Sequence, residues 1–307
     1  MSSPTLSDAL AACGVPVVAD RPLGPLTTYR VGGPARWFVE VTDAATLADV
    51  ARALAAAGDD VEVLVIGNGS NLLVSDRGFD GLALHLDGFD EIDIEATRVT
   101  AGGATLLPVL ARRTAREALR GFEWAVGVPG SLGAAVRMNA GGHGSDIAAS
   151  LVQVHLCDLR TGENGVVPAA QLDLGYRSSA VRPHQVVTSA TLQLRRGDAR
   201  RAEAELAEVV AWRREHQPGG QNAGSVFRNP EGSSAGALID SAGCRGLRVG
   251  SAAVSDKHAN FIQADPGGSA DDVRRVIDAV RAQVRRVHDV DLQTENVMIG
   301  FDEGEHP

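Results

Sequence analysis

The apolar residues of this chain recur with two different periods. Ala44, Leu47, Val50, Ala51 and Leu54 follow Asp43 at helical spacing, so a capped helix starts at 43. The same spacing predicts helices over 107–119, 201–214 and 234–242, and the strongest periodicity of all falls at 270–287. Residues 1–20 read as a lead-in with room for one helix. Short apolar or alternating runs predict strands at 36–41, 61–66, 72–74, 81–86, 91–101, 151–159, 166–167 and 186–194, then near 252, at 260–262 and at 297–300. Residues 195–198 read as a polar break, and His216-Gln217-Pro218-Gly219-Gly220 stops the helix before it. A β-α-β opening thus passes into a second mixed unit, and a domain boundary is expected near the start of the 201–214 helix. The fold class is α+β. Between 121 and 147 seven of 27 residues are Gly, which excludes one long stable helix there.

Composition narrows the function classes. A chain of 307 residues can build two or three domains with proper cores. Its net charge of −10, from 29 basic and 39 acidic residues, disfavours nonspecific nucleic-acid binding. A local arginine cluster could still hold an anionic ligand; every basic residue except Lys257 is Arg. Cys13, Cys157 and Cys244 lie far apart with no CxxC, as in a reduced, cytoplasmic protein, and no signal peptide is expected. No apolar run reaches membrane-spanning length. The eight histidines form neither HExxH nor HxH, so no metal is assigned. Nothing calls for an obligate protein partner.

Three regions carry candidate chemistry. Gly67-Asn68-Gly69-Ser70-Asn71 follows a strand, yet Leu72 stands where a dinucleotide fingerprint needs its third glycine, and no GK[ST] occurs. Two readings stand: an anion-cradling nest of amides, or a hairpin turn. The run 127–144 interleaves glycines with Arg137, Asn139 and His143, which suits close approach to a flat ligand or a phosphate; a structural crossover also fits. Its length favours the ligand, since it is otherwise an entropic liability. Ser225, in Asn222-Ala223-Gly224-Ser225-Val226-Phe227-Arg228-Asn229-Pro230, lacks a GxSxG elbow and a sequence-adjacent base. It is no hydrolase nucleophile; it is either a proton donor or a turn cap. Arg177, after Tyr176, offers a fork for a carboxylate or a developing enolate, or is a surface arginine. Glu295 and His258 have equally ordinary structural readings.

Taken in order, these stretches resemble the UDP-N-acetylenolpyruvoylglucosamine reductase family. The matching segments are 27–35, 67–73, 127–133, Met138-Asn139-Ala140-Gly141, Tyr176-Arg177-Ser178-Ser179, 223–230, Asp256-Lys257-His258-Ala259-Asn260-Phe261, and Glu295. The resemblance implies a two-subdomain FAD-binding fold of the vanillyl-alcohol-oxidase type, 1–80 with 289–307 and then 81–205, plus a third α+β substrate domain at 206–288. It implies noncovalent FAD held by Tyr29, by Ile66, Gly67, Asn68, Gly69, Ser70, Asn71 and Leu72, and by Val128, Pro129, Gly130, Ser131, Gly133, Ala134, Asn139, Gly141, Gly144 and Ile147. It further implies NADPH as co-substrate and reduction of UDP-N-acetylglucosamine enolpyruvate in peptidoglycan precursor synthesis. Ser225 would be the proton donor, Arg177 and Glu295 would hold the carboxylate end, and Tyr176, Arg228, Asn229, Lys257 and His258 would bind substrate. One branch of the family carries an extra tyrosine-bearing segment near the substrate phosphates. Here the only tyrosines are Tyr29 and Tyr176, so this chain resembles the shorter branch, and Lys257, Arg228, Asn229, Arg245 and Arg248 become candidates for the diphosphate. Two rivals remain: an FAD oxidase, for which His143 would be a flavin link, and a nonenzymatic nucleotide-binding module.

Overall fold

The computed structural model of the chain describes residues 5–58 and 61–301. By contact the chain divides into two units. The first comprises 1–19, 37–68 and 81–212; the second comprises 20–36, 69–80 and 213–307.

In the first unit, helix Ala44–Ala57 starts where Asp43 accepts a hydrogen bond from Thr46 N at 2.7 Å, and it buries Leu47, Val50, Ala51 and Leu54. These residues share a core with Leu6 and Leu10 of helix Leu6–Ala12 and with Leu82 and Leu84. Val63–Ile66 pairs in parallel with residues 82–85 of strand Phe79–Leu86. A five-stranded antiparallel sheet comes next, ordered Asn164–Pro168, Leu151–Asp158, Gln185–Gln193, Arg98–Gly102, Ile92–Glu95. Its buried face meets helix Leu107–Arg116 and the 121–147 stretch in a second core that includes Leu110, Trp124, Leu132 and Ile147.

The helix expected to reach 119 stops at Arg116, because Ala118 turns to φ +55° and the chain re-enters extended structure. Leu119–Arg120 then pairs with Arg195–Arg196, inside the supposed polar break. The pairing makes a strand of Arg195–Arg196 without apolar residues, and the mostly buried Arg120 is matched by charge: it donates to Glu123 at 2.6 Å and also reaches Glu205. The 121–147 stretch breaks into short pieces, the longest of them helix Leu132–Met138.

In the second unit, helix Ala270–His288 lays Val273, Val276, Ile277, Val280 and Val284 in a core shared with strands Ala252–Val254 and Ile262–Ala264 and helix Ala235–Ser241. Its first turn is capped twice. Ser269 accepts from Asp272 N, and Asp76, from a distant loop, accepts from Ala270 N at 3.0 Å and Asp271 N at 3.1 Å. Near the C-terminus Val297–Ile299 runs parallel to Leu72–Val74. No helix among the described residues is long and apolar enough to cross a membrane.

Candidate active site

The loop 67–71 is not a hairpin. The strand before it, Val63–Ile66, pairs in parallel with Phe79–Leu86, whereas the strand after it, Leu72–Val74, pairs with Val297–Ile299 in a different sheet. The loop therefore owes nothing to a two-strand turn, and its glycines serve close packing. A Cβ on Gly67 would overlap the Ser131 hydroxyl. Gly69 has φ +57°, and a Cβ there would overlap the Leu26 carbonyl and stand 2.7 Å from Thr27 Cα.

The same closeness recurs within the first unit around 130–133. Leu107 N donates to Gly130 O, Leu132 N to Thr105 O, and Gly133 N to Gly103 O at 2.8 Å, so backbone lies on backbone. Asn139 is buried and left-handed at φ 40°. Its amide is fully spent on protein: Nδ2 donates to Gly175 O at 2.8 Å and Asp146 Oδ2 at 3.2 Å, while Oδ1 accepts from Ala148 N at 3.0 Å. Gly175 precedes Tyr176 and Arg177. Arg177 is itself left-handed, at φ 55°; its guanidinium donates to Gly141 O at 2.9 Å and lies 5.3 Å from the centre of the exposed Tyr176 ring. The glycine run and the Tyr-Arg motif are thus one hydrogen-bonded assembly. His143 meets Trp212 edge-on, ring centres 5.1 Å apart.

In the second unit the structure brings Ser225 and Glu295 onto bonded neighbouring segments. Glu295 N donates to Val226 O at 2.7 Å, and Arg228 N donates to Gln293 O. On the other side Asn260 accepts from Val226 N through its carbonyl and from Phe227 N through Oδ1, and its Nδ2 returns a bond to Phe227 O at 2.8 Å. Ser225 is half-buried on this doubly anchored stretch. His258 accepts from Asn260 N and packs edge-on against Phe261; burial first, and then the nearby Arg245 cation, hold its imidazole below the usual histidine value. Asn229 accepts from Ala235 N, at the start of helix Ala235–Ser241.

Two regions of the chain match known families: residues 36–164 match the FAD binding domain, and residues 216–299 match the C-terminal domain of UDP-N-acetylenolpyruvoylglucosamine reductase. A reductase of that name from Heliobacterium modesticaldum is 42% identical over 288 residues, covering 92% of this chain and 91% of the relative. The Bacillus subtilis reductase is 37% identical, covering 92% and 94%. The chain belongs to the UDP-N-acetylenolpyruvoylglucosamine reductase family. The crystal structure of the family's reductase from Thermus caldophilus superposes with a TM-score of 0.79 at 34% identity, covering 93% of this chain and 98% of that one. The α+β fold is therefore an FAD-binding fold joined to the reductase C-terminal domain.

The residues present fit the flavin cofactor that membership implies. The Thr28 hydroxyl and the fully buried Tyr29 hydroxyl have no hydrogen-bond partner among the described residues, and Thr28 N bonds Gly69 O at 3.2 Å, beside the loop. In the first unit the Thr105 hydroxyl is likewise buried and unpartnered, next to the 130–133 seam. Orphaned buried hydroxyls are costly, and they suit a cofactor rich in phosphate and ribityl oxygens. The Asn71 and Asn139 side chains, by contrast, are taken up by protein contacts.

Several diphosphate candidates of this reductase family member are already engaged. Arg245 forks onto both Asp240 oxygens, Arg248 pairs with Asp265 at 2.7 Å, and Lys257 Nζ donates to Arg214 O at 2.6 Å. Arg228 keeps a buried Nε with no partner among the described residues. Burial pushes the guanidinium groups of Arg137, named with the 127–144 run, and of Arg213, which sequence reasoning passed over, below the ordinary arginine value, and no described carboxylate pairs with either. Among 28 arginines no sequence signal singles Arg213 out.

Proposed function

We infer that this protein is an FAD-dependent reductase that converts UDP-N-acetylglucosamine enolpyruvate to UDP-N-acetylmuramate with NADPH, the reductive step of peptidoglycan precursor synthesis, in the cytoplasm. Family membership over both the cofactor and the C-terminal regions carries the reading. Bound FAD supplies the hydride chemistry that no side chain possesses.

The chain's own residues act on the rest of the reaction. Hydride addition at the terminal vinyl carbon leaves negative charge on the neighbouring carbon and its carboxylate. Ser225 donates its hydroxyl proton to that neighbouring carbon, which completes the lactyl ether. Arg177, its backbone held through Gly175 by Asn139, offers a fixed fork to the carboxylate. Glu295 helps this charged end in its protonated form or through water, because a second anion would oppose the developing charge. Tyr176, Arg228, Asn229, Lys257 and His258 bind the substrate, and residues 206–288 form the part that covers it. Ile66, Gly67, Asn68, Gly69, Ser70, Leu72, Val128, Pro129, Gly130, Ser131, Gly133, Ala134, Gly141, Gly144 and Ile147 line the cofactor. The protein needs no metal, nucleic acid or obligate protein partner for this chemistry.

Steady-state oxidation of NADPH, with and without the enolpyruvyl sugar nucleotide, tests the reading. Oxidation should depend on the sugar nucleotide and yield one muramate product per NADPH. Oxidation that runs equally fast without it, at the expense of oxygen, would instead mark an oxidase.

A further inference from the structure

We propose that Asn296 is a positioning residue for this reaction, whose side-chain amide, together with Asn71, sets the register between the cofactor loop, the Ser225 segment and the Glu295 segment. The proposal rests on the roles given above to Ser225 and Glu295.

The bonds close into a ring within the second unit. Asn296 Nδ2 donates to Asn71 Oδ1 at 2.8 Å and to Ala223 O at 3.2 Å. Two acceptors on one side fix which end of the amide is the nitrogen. Asn71 Nδ2 donates in turn to Glu295 O at 3.0 Å, and Asn71 O accepts from Val297 N at 2.9 Å. Ala223 lies two residues before Ser225, and Val226, one residue after it, accepts from Glu295 N at 2.7 Å. The chain from 223 to 226 is therefore tied at one end by the side chain of Asn296 and at the other by the backbone of Glu295. Ser225 sits between the two ties.

The tie at Ala223 matters because the next residue is a glycine. Gly224 is left-handed at φ +76°, with nothing within 4 Å of the place its Cβ would occupy. Its N–H donates to Asn222 Oδ1 at 3.1 Å, but with no Cβ its backbone is otherwise the least restricted on this stretch, so the hydroxyl at 225 follows a pliant joint. The Asn296 amide removes that freedom. Asn296 is buried, and its own Oδ1 finds no partner among the described residues. A residue chosen for packing alone would be apolar here, since an unpaired buried carbonyl opposes folding. What the amide provides is its two donated bonds.

The isosteric change Asn296→Asp removes both donated bonds and turns an oxygen toward two oxygens. Asn296→Ser keeps one shorter donor. Anaerobic stopped flow on the FAD-loaded enzymes reads the two half-reactions separately, and hydrogen exchange reads the backbone. In Asn296→Asp, flavin reduction by NADPH should stay near the wild-type rate, while oxidation by the enolpyruvyl sugar nucleotide slows about tenfold or more. Asn296→Ser should fall between, and exchange at the Glu295 amide should rise in both. Three results would overturn the proposal: an unchanged second half-reaction, equal slowing of both halves, or loss of FAD from both variants, which would make the residue merely structural. A wild-type enzyme that the sugar nucleotide does not reoxidise would sink the underlying reading as well, and that arm is read before the variants.

Discussion

Gly69→Ala tests the claim that the 67–71 loop is shaped by backbone crowding. The substitution meets two penalties. An L-residue at φ +57° costs about 1–2 kcal/mol. The added Cβ also overlaps Leu26 O and stands 2.7 Å from Thr27 Cα. Those atoms cannot retreat freely, because Leu26 N bonds Leu23 O, and Thr27 bonds Gly24 O through both N and Oγ1. Overpacking of this kind costs a further ~1–3 kcal/mol. The sum is about 2–5 kcal/mol, and it falls on the Thr28–Tyr29 segment that carries the two orphaned hydroxyls. Gly162→Ala is the control: its φ of +74° carries the conformational penalty, but nothing lies within 4 Å of its Cβ. Denaturant unfolding and flavin content after gel filtration should therefore show Gly69→Ala weaker than Gly162→Ala by ~1–3 kcal/mol and depleted in FAD. Equal losses in the two variants would refute the steric argument.

The site supports three further expected outcomes. Ser225→Ala should leave flavin reduction by NADPH nearly intact and slow reduction of the sugar nucleotide by ~10²-fold or more, read in separate half-reactions; equal loss in both would argue against the proton-donor role. Arg177→Lys should reduce kcat by roughly tenfold or more, because an ammonium group cannot both hold Gly141 O and present a planar fork; near-wild-type kcat would remove Arg177 from the carboxylate. Asp272 accepts from Ser251 N and Oγ, each at 2.7 Å, and the Ser251 backbone bond above all holds its carboxyl below the usual range. A depressed carboxyl stabilises the fold above its unfolded pKa of about 3.9 and loses that contribution as pH falls through its folded value. Asp272→Asn should thus be less stable by ~1–3 kcal/mol at neutral pH, with the gap closing in acid; a gap independent of pH would contradict the assignment.

Elements whose signal is local were legible in the sequence. Helix Ala270–His288 announces itself by its apolar stripe. Extended structure over 91–101 emerges from alternation, whereas the turn at Ala96, φ +55°, that divides it into Ile92–Glu95 and Arg98–Gly102 does not. Arg195–Arg196 was hidden because its strand character comes from pairing with Leu119–Arg120 rather than from apolar residues. The end of helix Leu107–Arg116 was hidden because Ala118, not a glycine, takes the left-handed turn. The 67–71 loop left the hairpin reading open because the partner of Leu72–Val74 sits near the far end of the chain. Within the candidate site, sequence order and motif named Ser225, Arg177 and Glu295. They could not show that Val226 bonds Glu295, that Asn139 holds Gly175, or that Arg245 and Arg248 are committed to Asp240 and Asp265, since each is a side-chain or long-range pairing.

All of this chemistry requires that the chain pass reducing equivalents through bound FAD to an enolpyruvyl ether. The decisive test is anaerobic: the purified yellow protein is bleached with one equivalent of NADPH, and the enolpyruvyl sugar nucleotide is then added. The oxidised flavin spectrum should return with formation of one equivalent of the lactyl ether. A protein that carries no flavin, or one that stays bleached until oxygen is admitted, would refute the proposed reaction.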